Sequence, residues 1–177
     1  MIEIRKIDKA HETDLDLKND PFLIWGRMVP SLQNGVWSYE IDKFDTVTEM
    51  TFPDDVHDFD ALTAEDGVAF GAYEDGKCIG NAIFTRGFFK YMYLEDLKTV
   101  AAARGKGVGK ALVRAGLQEA LSRNYRGIYL QAQDNNLNAC LFYLKCGFQI
   151  GGFDNRVYTG TKQADKADIF FYLDGVK

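Results

Sequence analysis

The chain has 177 residues, 46 % of them hydrophobic and 27 % charged, which predicts one globular domain with one core and argues against general disorder. Its formal net charge of -5, from 26 acidic and 21 basic residues, argues against a nucleic-acid partner, whose binding domains are usually basic. With two histidines (His11, His57) and three cysteines (Cys78, Cys140, Cys146) in no Cys-x-x-Cys pair, neither a disulfide framework nor a metal site is expected.

In chain order, residues 2–7 alternate apolar and charged side chains and predict a strand. They lack the apolar stretch of a secretory signal, and no run reaches the ~20 apolar residues that span a bilayer. A cytoplasmic protein with no membrane partner is the expectation. Residues 8–20 predict a loop or short helix, and residues 22–34 a helix bounded or interrupted by Pro30. Residues 40–66 hold ten acidic residues (Glu40, Asp42, Asp45, Glu49, Asp54, Asp55, Asp58, Asp60, Glu65, Asp66) against Lys43, a local charge of -9. Read without context, such a run is a solvated face or a mobile loop.

From residue 67 the pattern sharpens. Val68, Phe70 and Ala72 alternate, Asp75-Gly76 offers a hairpin turn, and Cys78 to Phe84 runs apolar. A strand from Tyr91 to Val100 follows, then a helix from about Gly107 to Arg123. Ile128, Leu130 and Ala132 alternate as another strand. Leu137, Cys140, Leu141 and Leu144 repeat at helical spacing, so 136–145 reads as a helix stopped by Gly147. Within it, Cys140 and Cys146 read as small buried hydrophobes. Strands at 148–153 and 168–173 complete a mixed α/β chain.

The stretch Arg104-Gly105-Lys106-Gly107-Val108-Gly109-Lys110 lies between a predicted strand and a helix, where backbone N–H groups form an anion site. A P-loop does not fit: Arg104 stands where its first Gly belongs, and Ala111 where Ser or Thr would bind magnesium. The dinucleotide fingerprint lacks its third Gly. What fits is Arg-x-x-Gly-x-Gly, with Arg104, Lys106 and Lys110 adding positive charge. A solvated Gly-rich turn is the blander reading. Residues 86–126 carry nine basic and three acidic residues, so a basic half stands apart from the acidic run at 40–66. An anionic cofactor and a cationic substrate would suit that separation.

Together with Asp134-Asn135-Asn136 and Ala139 through Phe148, this strand, turn and helix resemble the GNAT superfamily of N-acetyltransferases, over about residues 67–173. A closer resemblance, to the streptothricin acetyltransferases, rests on Trp25-Gly26-Arg27-Met28-Val29-Pro30, Trp37-Ser38-Tyr39, Leu94-Glu95-Asp96-Leu97, Gln133-Asp134-Asn135-Asn136 and Gly147 through Asp154. The resemblance implies the GNAT acyl-CoA N-acyltransferase fold, with a central, mostly antiparallel mixed sheet flanked by helices. It implies one domain over 1–177, with an acceptor-side part at about 1–66 and an acetyl-CoA-binding part at about 67–173.

By the same resemblance, Arg104, Gly105, Lys106, Gly107, Val108, Gly109 and Lys110 hold the pyrophosphate of acetyl-CoA. Leu97, Lys98 and Thr99 hold its pantetheine arm through backbone groups, and Asn136 joins the cofactor set. Thr99 and Ala101 depart from the Val and Pro of many members, a change that backbone pairing tolerates. Tyr143 matches the tyrosine that protonates the departing thiolate. Period two places Tyr93, Glu95, Leu97 and Thr99 on one strand face unless a bulge intervenes. Glu95 is then the expected base, with Asp96 structural or binding the substrate ammonium. Trp25, Trp37, Tyr39, Tyr91 and Tyr93 are candidates for a cationic pocket. The expected activity is acetyl-CoA-dependent N-acetylation of a small polycationic amine of the streptothricin type, which would confer resistance. A protein N-terminus, a polyamine or another small amine is the alternative acceptor, and a non-catalytic acyl-CoA-binding module the alternative class. Monomer and homodimer both stay open.

Overall fold

The computed structural model describes residues 1–175; Val176 and Lys177 lie outside it. In chain order the elements are β1 (Glu3–Lys6), a 3-10 segment (Lys9–Asp16), β2 (Phe22–Gln33), β3 (Val36–Met50), α1 (Phe59–Ala64), β4 (Val68–Glu74), β5 (Lys77–Thr85) and β6 (Tyr91–Thr99). They continue with a 3-10 turn (Ala101–Ala103), α2 (Val108–Ser122), β7 (Gly127–Gln133), α3 (Leu137–Cys146), β8 (Gln149–Asp154) and β9 (Asp168–Asp174). The chain divides into two compact units interleaved in sequence: 1–20, 52–129 and 174 onward, and 21–51 with 130–173.

In the first unit the strands lie in the order β1-β4-β5-β6-β7. The first four are antiparallel and β6 pairs with β7 in parallel. The β4–β5 hairpin closes as its sequence predicts, with Asp75 at φ 51° and Gly76 at φ 77°, both left-handed as a type I′ turn requires. One face of this sheet buries Ala69 and Ile83 against Ile7 and Leu15, with Phe59 and Leu62 packed on them. The other face takes α2. Gly116 is what lets that helix close onto the sheet, because a Cβ there would collide with the Phe84 ring. Phe84 is fully buried and meets Phe70 edge to face at 6.2 Å. Burying one such ring is worth about 1.5–3 kcal/mol.

In the second unit β9 lies between β7 and β8, and β2 pairs with β3 in a long antiparallel hairpin. This corrects the helix expected over 22–34. The connecting residues Asn34 (φ 51°) and Gly35 (φ 77°) are a type I′ pair, and that local hairpin signal wins over the apolar run before it. Pro30 is tolerated in a paired strand opposite Tyr39 because Met28 N points away from β3, to the Asp134 carbonyl, and two residues on the ring nitrogen of Pro30 faces that same outer side, where the ladder needs no donor. The acidic run 40–66 is no single loop either. Its first part is the exposed strand β3, and its later part carries α1 in the first unit. Buried Leu137 and Cys140 anchor α3, while Leu141 and Leu144 of the expected stripe, like Cys146, are only half-buried.

Candidate functional site

The Gly-rich turn follows β6 in the first unit. Arg104 to Gly107 are exposed, and Gly107 is the N-cap of the 15-residue helix α2 with φ 82°. No side chain caps this helix start. The N–H groups of Val108, Gly109 and Lys110, in its first turn, have no intrahelical acceptor by construction. Gly105 also takes positive φ, 75°, and a Cβ at either 105 or 107 would meet nothing within 4 Å. Glycine is needed here for torsion rather than for space. Asp20 steadies the turn: Oδ2 accepts from Ala101 N at 2.7 Å and lies 3.9 Å from Arg104 Nη2. Lys106 and Lys110 are exposed and make no ion pair among the described residues. An uncapped helix start, open backbone and two available ammonium groups fit a polyphosphate.

The strand leading into the turn has one edge paired and the other largely not. Ala82, Asn81 and Gly80 of β5 stand opposite Leu97, Lys98 and Thr99. On the far edge, β7 pairs with β6 only along Tyr91–Tyr93 among the described residues. A narrow amide-containing arm could therefore line up with the backbone of Leu97–Thr99 as an added strand would.

A bulge interrupts β6. Phe84 stands opposite Leu94 and Ile83 opposite Asp96, so Glu95 is the extra residue with no cross-strand partner. This corrects the expected shared face of Tyr93, Glu95, Leu97 and Thr99. Leu94, Leu97 and Thr99 now share the α2 side with Phe84, whereas Asp96 and Lys98 share the side of Ile83. Glu95 is exposed. Asp96 is engaged: its Oδ2 lies 2.9 Å from the buried Lys98 ammonium, which also reaches Asp55 Oδ2 at 3.3 Å. Burial pushes the Lys98 pKa down, but Asp96 and then Asp55 outweigh it and hold it above the ordinary lysine value.

The remaining predicted residues belong to the second unit. Asn136 is the N-cap of α3, its side chain accepting from Ala139 N at 3.4 Å. Tyr143 is half-buried on the same helix, its ring packed against Phe142, Phe148 and Phe171 at centroid distances of 5.3, 5.6 and 5.8 Å. Cys140 is fully buried, and burial pushes its thiol up to about 12, so it serves as packing. The aromatic set divides: Trp25, Trp37 and Tyr39 belong to the second unit, Tyr91 and Tyr93 to the first. The Trp25 indole donates to Asn138 Oδ1 at 3.0 Å, and the Tyr91 hydroxyl donates to Asp174 at 2.6 Å.

Residues 33–148 match the family model of the GNAT acetyltransferases. The chain belongs to the GNAT acetyltransferase family. It is 33 % identical over 169 residues to streptothricin acetyltransferase A of Bacillus subtilis strain 168, covering 96 % of this chain and 98 % of that protein. Its fold matches a protein of Bacillus anthracis assigned as a streptothricin acetyltransferase and solved in complex with acetyl coenzyme A. That likeness has a TM-score of 0.88 and 30 % identity, covering 99 % of this chain and all of that one. A nourseothricin acetyltransferase shares the fold at TM-score 0.79 and 20 % identity, with 98 % of each chain covered.

This GNAT acetyltransferase also carries a buried polar network that the sequence reading assigned to no role. Asp134 accepts from Ala167 N (3.1 Å) at Oδ1, its carbonyl accepts from Met28 N (3.0 Å), and Arg27 Nη1 lies 3.6 Å from Oδ2. Nearby in sequence, Gln133 Nε2 donates to the Tyr158 hydroxyl at 3.0 Å, and that hydroxyl donates to Asp168 Oδ1 at 2.8 Å. Burial raises the carboxyls of both Asp134 and Asp168 above the usual aspartate value. The available signal was Asp168 itself, a carboxylate opening the otherwise apolar run Ile169–Leu173. A carboxylate beside an apolar run is costly to bury without partners, so its position there marks it.

Proposed function

We propose that the chain is a cytoplasmic enzyme transferring an acetyl group from acetyl-CoA to an amine of a streptothricin-type antibiotic, within one domain over 1–177. The full-length identity to a streptothricin acetyltransferase carries the choice of acceptor. The open, uncapped helix start at Gly107 supports the choice of donor. Acetyl-CoA supplies the activated thioester. The backbone N–H groups of Arg104 to Gly109 bind its pyrophosphate, assisted by Arg104, Lys106 and Lys110, and Leu97, Lys98 and Thr99 bind the pantetheine arm. Asn136 supports this set by opening the helix that carries Tyr143.

Amide formation requires a neutral amine nitrogen. Glu95 takes its proton, directly or through water; Asp96 is already engaged by Lys98 and leaves that role to Glu95. The nitrogen lone pair attacks the thioester carbonyl carbon, and the C–S bond then breaks. Tyr143 donates its hydroxyl proton to the departing thiolate. The second nitrogen proton, made acidic by the new C–N bond, is lost and the Tyr143 hydroxyl is restored through water, so the products are the acetamide and CoA-SH.

The test is mass spectrometry of purified protein with acetyl-CoA and streptothricin, with a polyamine and a peptide bearing a free N-terminus run in parallel. An acetyl-CoA-dependent gain of one acetyl group on streptothricin is expected. Acetylation of the polyamine or peptide in its place moves the acceptor class. CoA binding without transfer to any amine moves the chain to a binding module.

A further inference from the structure

Lys98 enters the reaction above only through its backbone, yet its side chain is among the most enclosed charges in the first unit, with 7 % of it exposed. Asp96 on its own strand and Asp55, in the segment between β3 and α1, are the acidic groups within ion-pair reach among the described residues. Opposite it on β5, Asn81 is fully buried and donates to the carbonyls of Asp14 and Leu15 at 2.9 and 2.8 Å, so that wall is fixed. A buried ammonium persists only where paired anions hold it. The two anions held here adjoin the bulge: Asp96 is the residue after Glu95, and Asp55 brings a second chain segment onto the same nitrogen.

A bulge fixes which residue of a strand goes unpaired, and a slip by one position would exchange the faces of Glu95 and Asp96. We infer that Lys98 is a positioning residue for acetyl transfer: its ion pair with Asp96 locks the β6 bulge in the register that leaves Glu95 unpaired and facing solvent. This rests on the reading of Glu95 as the proton acceptor. Lys98 itself exchanges no proton with the substrate.

The test is a kinetic cycle of Lys98→Met, Lys98→Arg, Glu95→Gln and the double variant Lys98→Met/Glu95→Gln, with acetyl-CoA and the amine that proves to be acetylated. Lys98→Met should lower kcat by about tenfold or more while the KM for acetyl-CoA stays within about threefold, and should move the acid limb of the pH profile. Lys98→Arg should restore most of the rate, because it keeps the charge. In the Glu95→Gln background, Lys98→Met should remove little further rate, since the group it positions is gone. Should Lys98→Met fail to fold, Lys98→Met/Asp96→Asn removes a stranded carboxylate with the ammonium, and the same loss and profile change are expected. A wild-type kcat in Lys98→Met, or in Lys98→Met/Asp96→Asn where that variant stands in for it, or an additive loss in the Glu95→Gln background, overturns the inference alone. Wild-type turnover and pH profile in Glu95→Gln itself overturn the proton-acceptor reading and this inference together.

Discussion

At the scale of single residues, Gly107 and Tyr143 separate torsional, electrostatic and chemical demands. Gly107 holds φ 82° with open space where a Cβ would stand, so Gly107→Ala meets no clash and only backbone strain. That strain costs about 1–2 kcal/mol. Gly107→Asp adds a negative charge at the N-terminus of α2, where the proposed pyrophosphate sits. Calorimetry should show weaker CoA binding for Gly107→Ala and weaker still for Gly107→Asp; equal affinity of wild type and Gly107→Asp, with the fold intact, removes the turn as the CoA site. Tyr143→Phe keeps the ring against Phe142, Phe148 and Phe171 and removes only the hydroxyl. Losing a positioned proton donor costs about 10²–10⁴-fold in rate. Turnover should fall by that order while CoA affinity is retained, and a loss within about threefold would assign the thiolate proton to another donor or to water.

At the scale of elements, the sequence was legible where local chemistry and burial agree and illegible where they part. The β4–β5 hairpin, α2 and α3 each carry a matching turn or cap: Asp75-Gly76, Gly107, and the pair Asn136 and Gly147. β2 misled because its apolar run suits helix and strand alike, and Asn34-Gly35 after it was the signal to follow. The bulge at Glu95 was illegible in detail, since it depends on pairing with β5, which no single-strand pattern contains. β9 yields a pH expectation. Asp168 at its start has a carboxyl raised by burial, so between the unfolded aspartate value and the raised one the native state binds the extra proton. Its contribution to stability therefore falls as pH rises through that window. Asp168→Asn removes the term. In thermal melts, the Tm of the variant relative to wild type should shift in the variant's favour from pH about 4 to about 7; parallel curves would show that burial of Asp168 does not govern this slope.

At the scale of the whole molecule, the acidic run read from the sequence divides between two sets of residues with different partners. The run 40–66 looked like one acidic patch because a count of charges carries no information about partners. The structure gives most of its later members structural work. Asp54 accepts from Asn19 N at 2.8 Å, Asp55 holds Lys98, Asp58 caps α1 through Ala61 N at 2.9 Å, and Asp60 pairs with Lys9 at 2.7 Å. Neutralising these four should lower Tm, the loss of the Asp58 cap alone costing about 1 kcal/mol. On β3, by contrast, Glu40, Asp45 and Glu49 are exposed and make no ion pair among the described residues. They remain available to attract a polycation. Attraction between exposed charges is screened beyond about 10 Å at 0.1 M salt, so kcat/KM for a polycationic acceptor should fall as ionic strength rises. The triple variant Glu40→Gln/Asp45→Asn/Glu49→Gln should flatten that dependence with kcat and Tm little changed, because β3 holds neither the proposed base nor the Gly-rich turn. Steady-state kinetics across a salt series decides the matter: a wild-type kcat/KM that ignores salt, or a triple variant with the wild-type slope, takes capture of the acceptor away from the β3 carboxylates.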